Sequence, residues 1–132
     1  MNFTSENAEK VLAGTKTRTT RVQRDDDAVC RYVVGRTYAV CPGRTEKAVG
    51  RILIIRVRRS ESAGVFVTPW DTEINMDWRL RQKLDYGVQA RHARAEGYAT
   101  FDDWWLDYTR LSQDPDGDKP CWVIDFELVK EG

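Results

Sequence analysis

At 132 residues, with 41% hydrophobic and 11% aromatic side chains, the chain has the size and composition of one globular domain around a single core, residues 1–132, and a second domain is not expected. No apolar run approaches the roughly 20 residues that span a bilayer, and Glu6 and Glu9 stand where a secretory leader carries cations and an apolar stretch, so a cytoplasmic protein without a membrane partner is expected. The net charge of zero hides a polarity, because residues 1–59 hold 13 Lys and Arg against 6 Asp and Glu while residues 60–132 hold 8 against 15. A basic first half is compatible with a polyanion. An acidic second half argues against a nucleic-acid groove running the length of the chain, and oppositely charged halves of one domain also attract each other when folded.

In chain order, Ser5 is placed to cap a short helix in which Ala8, Val11 and Leu12 share a face, and Gly14 sits where a left-handed C-terminal residue belongs. Thr19 to Val22 suits a strand, and Arg24 to Ala28, with three consecutive aspartates, reads as a solvated loop. Tyr32 to Val34 and Tyr38 to Cys41 read as short strands around Gly35, with a turn at Pro42-Gly43. Ala48 to Arg58 is the longest strand; its middle, Ile52 to Ile55, is apolar on both faces and belongs inside a sheet. Val65 to Val67 suits a further strand. From Asp71 to Ala95 the pattern is helical and polar, two helices broken near Tyr86-Gly87. Thr100 opens a last helix with the apolar face Phe101, Trp104, Trp105, Tyr108 and Leu111, and the alternation of Trp122, Ile124, Phe126 and Leu128 marks a half-buried closing strand. This order predicts an α+β domain: a small, strongly bent barrel of about five to six strands flanked by helices, with a helical insertion around 71–95. Closure protects the edges of such short strands.

Cys30, Cys41 and Cys121 lack any paired spacing, and the one histidine, His92, completes no familiar zinc set with them, so reduced thiols, no metal and no other cofactor are expected. The chemistry concentrates in Gly14-Thr15-Lys16-Thr17-Arg18-Thr19-Thr20-Arg21, where hydroxyls and cations crowd behind a helix-ending glycine. Such a segment serves either as a grip on anionic oxygen or as a reaction centre with a polarised hydroxyl.

Phe3, Ala8, Val11-Leu12, Gly14, Lys16-Thr17, Thr19 and Arg21, followed by Gly35 and the strand at Tyr38 to Val40, resemble the start of the ASCH domain, a PUA-like β-barrel. Ala95-Glu96-Gly97-Tyr98, a Thr-capped helix with Trp104 and Tyr108, and Trp122-Val123-Ile124-Asp125-Phe126-Glu127 resemble that family's Glu-Gly-aromatic corner and closing strand. Asp25 to Tyr32 and Val65 to Arg91 match loosely.

The resemblance implies an RNA-related cleft. Some relatives hydrolyse the amide of N4-acetylcytidine through a lysine, a threonine and a glutamate, which match Lys16, Thr19 and Glu96. In that reading Thr19 attacks the carbonyl, Lys16 activates it and Glu96 protonates the leaving nitrogen, which requires the pKa values of lysine and carboxyl to be tuned by desolvation and neighbours. Thr17, Arg18, Arg21 and Arg51 then hold RNA or a nucleotide, with Trp70 placed to stack on a base. The alternatives are a module that binds RNA without turnover and a metal-independent ribonuclease, for which a single histidine leaves lysine and tyrosine to act. Three residues of extended strand would separate Lys16 from Thr19 by about 10 Å and turn them to opposite faces, so the dyad needs a bend after Gly14. Each residue also has a plainer reading: Lys16 in a solvated turn, Glu96 at an exposed helix end beside Arg94 or His92, and Arg21 bound to Asp125 or Glu127.

Overall fold

A computed structural model describes residues 1–24, 29–60, 65–66, 76–77, 86–115 and 119–130. In chain order these hold α1 (Ser5–Leu12), β1 (Arg18–Val22), β2 (Thr37–Val40), β3 (Gly50–Ser60), β4 (Val65–Phe66), β5 (Met76–Asp77), α2 (Tyr86–Ala95), α3 (Phe101–Ser112) and β6 (Cys121–Leu128). Four strands lie in the order β1-β6-β3-β2, each pair antiparallel, and β4 with β5 forms a separate ribbon. The four-stranded sheet curls into a half-barrel, so the architecture is the α+β one expected.

Side chains alternate across a strand, so register alone sorts them into two faces. Thr19 pairs with Ile124, Arg21 with Trp122 and Ile54 with Phe126, which puts these residues on one face. There Ile52, Ile54, Ile124 and Phe126 pack with Val40, Phe3 and the α1 residues Ala8 and Val11. Arg18 pairs with Asp125, Thr20 with Val123 and Val22 with Cys121 on the opposite face. Helices α2 and α3 cover it through Ala93, Phe101, Trp104 and Tyr108, packed with Cys121. Between Ile54 and Arg56 the β3 register slips by one residue against β6. Ile55 is the extra residue of this bulge and is half exposed, and a bulge of this kind bends and twists its strand, helping the sheet curl.

Several local expectations are corrected. Thr4, not Ser5, caps α1, its hydroxyl accepting from the Asn7 N–H at 3.1 Å. Tyr32 to Val34 is not a strand. Met76–Asp77 is a strand where a helix is expected; α2 begins at Tyr86, beside the expected break, and the rest of 71–85 lies outside the described residues. Thr100 caps α3 as read, accepting from the Asp103 N–H at 3.1 Å, but Leu111 is exposed. Among the described residues no helix is long and apolar enough to cross a membrane.

Candidate functional site

Two helix ends build the site. At the end of α1 the Gly14 N–H donates to Val11 O and the Thr15 N–H to Lys10 O, with Gly14 at φ +79°. At the end of α2 the Gly97 N–H donates to Arg94 O and the Tyr98 N–H to Ala93 O, with Gly97 at φ +91°. Both are Schellman endings, which satisfy the last carbonyls and turn the chain sharply away. Lys16 leaves the first ending two residues after its glycine, and Glu96 sits just before the glycine of the second. The endings abut, since a Cβ on Gly97 would stand 3.3 Å from Lys16 Cβ and 3.1 Å from Lys10 Cδ.

This contact brings together two charges 80 residues apart. Lys16 Nζ donates to Glu96 Oε1 at 2.8 Å and to the Glu96 carbonyl oxygen at 3.0 Å. Thr20 Oγ1 donates to Glu96 Oε2 at 2.6 Å. Lys16 and Glu96 are only 3% and 2% exposed, so Glu96 is no exposed helix end and Lys16 no solvated turn residue. His92, one helical turn before Glu96, is also buried, with Nε2 3.5 Å from Oε2, rather than forming a surface pair. Its Nδ1 lies 3.2 Å from Arg18 Nη1. A guanidinium has only donors, so Nδ1 accepts and the imidazole proton sits on Nε2.

Burial, with the cations Arg18, Lys16 and Arg58 nearby, holds the His92 pKa well below its ordinary 6.5. The folded chain keeps His92 neutral where the unfolded chain takes up a proton. Its contribution to stability is therefore complete above the unfolded value and declines by up to about 1.4 kcal/mol per pH unit below it, until His92 protonates within the fold. Urea midpoints measured between about pH 7.5 and 5.5 are expected to fall in the native protein and to fall less in His92→Gln.

Thr19 is 5% exposed and, with Lys16, Thr20, Arg21 and Glu96, lines a cavity of about 700 Å³. Residues from both faces of β1 border it, which places it along the edge of that strand not paired to β6. Thr20 is the hydroxyl the sequence reading missed. The signal was strand parity, since Lys16, Arg18 and Thr20 fall on one face and Thr19 on the other.

The other expected ligand-holding residues separate. Arg21 lines the cavity but binds neither Asp125 nor Glu127; it donates to Asn2 O at 2.7 Å and lies over the Phe3 ring, where burial lowers its pKa. Arg18 holds Asp125 instead, at 2.6 Å, and Asp125 also accepts from Arg58. Thr17 bonds through its backbone, its N–H to Ala95 O and its carbonyl to the Phe126 N–H, and is not in the cavity wall. Arg51 donates to Thr37 on β2 and is not in the cavity wall. Trp70 lies outside the described residues.

Gly97→Ala is expected to lose about 1–3 kcal/mol from left-handed strain, and more from the clash with Lys16, displacing the amine. Gly14→Ala shares the positive φ with nothing within 4 Å, so it bears the backbone cost alone. Chemical denaturation of the two variants side by side checks the difference.

No protein-family model and no curated protein matches the chain. Solved structures do. An ASCH domain from Lactobacillus crispatus JV V101 aligns with a TM-score of 0.58 at 16% identity, over 93% of this chain and 70% of that one. A DUF984 protein from Enterococcus faecalis V583 gives 0.56 at 16% identity, over 96% and 74%. An ASCH protein from Zymomonas mobilis, in a single-substitution variant, gives 0.54 at 10% identity, over 98% and 70%. At these identities the likeness is one of architecture, and it agrees with the half-barrel and its helices built above. The chain has the ASCH-domain fold.

Proposed function

We propose that the cavity binds a nucleobase or modified nucleoside and that Lys16, Thr19 and Glu96 hydrolyse the amide of an N4-acylated cytidine there. One observation carries this reading: an ion pair almost wholly removed from water forms part of the wall of a cavity that a hydroxyl also lines. Apolar residues would hold such a position at least as stably, so stability alone does not account for the pair. A cavity of about 700 Å³ falls within the range of small-molecule sites.

The pair supplies both proton carriers. Passing one proton across the 2.8 Å bond from Lys16 Nζ to Glu96 Oε1 leaves a neutral amine beside a neutral acid. The Thr19 oxygen, which meets the cavity from the other face of β1, then attacks the acyl carbon while its proton is relayed through water in the cavity to the Lys16 amine. Glu96 gives its proton to N4 as the C–N bond breaks, and water cleaves the acyl ester on Thr19. Thr20 donates to the other carboxylate oxygen and keeps Oε1 turned toward the amine.

A binding-only reading has its own support. Arg21, Arg24, Arg31 and Arg44 line the cavity with Lys16, against Glu96 as the acidic residue there among those described. This favours RNA or a nucleotide held without turnover, and such a grip weakens steeply with salt, whereas hydrolysis of a neutral nucleoside barely responds. Cys30, Cys41 and Cys121 are joined by no disulfide, which fits a reducing, cytoplasmic setting.

The test incubates the native protein, Lys16→Ala and Thr19→Ala with N4-acetylcytidine and with a short RNA, at low and high salt. Acetyl release by the native protein, lost in both variants and insensitive to salt, supports the hydrolase. Salt-sensitive RNA binding with no acetyl release selects the binding module.

A further inference from the structure

Three residues of the cavity wall carry a buried side-chain polar atom outside the hydrogen-bond network, Asn7 Oδ1, Trp122 Nε1 and the Tyr108 hydroxyl oxygen; the last is set against the Cys121 thiol, which leaves the first two without a partner. Asn7 belongs to α1 and is 9% exposed, its backbone N–H already taken by Thr4. Its amide orientation follows from its neighbours. Tyr98 donates its one hydroxyl proton to Asp107 Oδ2 at 2.5 Å, so the hydrogen bond between Asn7 and Tyr98 runs from Asn7 Nδ2 to the phenol oxygen. That leaves Oδ1 as a fixed acceptor. Trp122 lies on β6 opposite Arg21, on the same sheet face as Thr19, and its indole nitrogen can only donate. Folded proteins rarely leave such atoms unsatisfied, because each keeps its full desolvation penalty.

We infer that these two atoms read the polar rim of the bound base, Asn7 Oδ1 accepting from an N–H and Trp122 Nε1 donating to a ring nitrogen or carbonyl oxygen. The inference rests on the nucleobase reading and narrows it. The ligand is a planar heterocycle offering both a donor and an acceptor, as cytosine and its N4-acyl forms do. A base lacking either group leaves one atom unpaired and is rejected, the mode of discrimination that buried polar groups enforce most strongly.

Asn7→Leu and Trp122→Phe each delete one of these atoms while keeping an apolar shape, and cytidine is a probe that carries no acyl group to be turned over. Each variant is expected to raise the calorimetric Kd for cytidine roughly tenfold. Native affinity in both folded variants overturns the inference and leaves the nucleobase reading standing. A native protein that binds neither cytidine nor N4-acetylcytidine overturns both. Should a variant fail to fold, the Trp122 indole N–H resonance of the selectively labelled native protein decides: a large shift at saturation supports the contact, and a stationary signal overturns it.

Discussion

Glu96→Ala is expected to destabilise the protein by about 3–5 kcal/mol, because it leaves the Lys16 ammonium buried without a counter-charge. Lys16→Ala has the mirror effect on the carboxylate, softened because the Thr20 hydroxyl still donates to it. The two losses are strongly non-additive, since each single variant is penalised for the partner it abandons. Lys16→Met combined with Glu96→Leu removes both charges and is expected to recover most of the stability, as apolar replacements of buried pairs generally do. Acetyl release, in contrast, is expected to fall by roughly 10²–10⁴-fold or more in all three proteins. Urea denaturation followed by tryptophan fluorescence, run beside the acetyl-release assay, checks both halves. A double variant as unstable as the singles would mean that the pair holds the fold rather than serving the cavity.

Trp104→Ala is expected to cost about 3–5 kcal/mol and to lower the thermal midpoint by roughly 10 °C or more. Trp104 is nearly fully buried, stacks on Tyr108 at 5.1 Å and meets the His92 ring edge-on at 4.3 Å. Truncation removes the wall against which His92 rests, and His92 in turn steadies Glu96. Function should therefore suffer even at temperatures where the variant remains folded. Trp105 is only partly buried, so Trp105→Ala is expected to lose much less. Calorimetric unfolding of the two variants makes the comparison.

The strands that build the sheet were legible where burial imposes a period. Trp122, Ile124 and Phe126 alternate because the pleat turns them to one face of β6, and Ile52 and Ile54 join them in the core from β3. Tyr32 to Val34 has the composition of a strand without the pairing. Its valines are exposed, and the chain turns at Gly35, whose N–H goes to Ile54 O. The helical pattern from Asp71 misled at Met76–Asp77 because the hairpin partner, Val65–Phe66, is the stronger constraint on two residues than local propensity. Spacing alone could not unite Lys16 with Glu96; the family resemblance named both, and the mutual packing of two helix endings is what makes them neighbours. Simple parity puts Thr20 on the Lys16 face, where its hydroxyl reaches Glu96, while Thr19 meets the cavity from the other face.

The strand order also bears on when this protein becomes itself. Cys121–Leu128 bridges β1 and β3, which do not touch without it. While a ribosome is still extending the chain, the early segments have no central ladder to join, and the pocket's walls stay apart until residue 128 has cleared the exit tunnel. Assembly thus waits for Cys121–Leu128, and nascent chains arrested before Cys121 should be digested by protease where those with Leu128 beyond the tunnel resist.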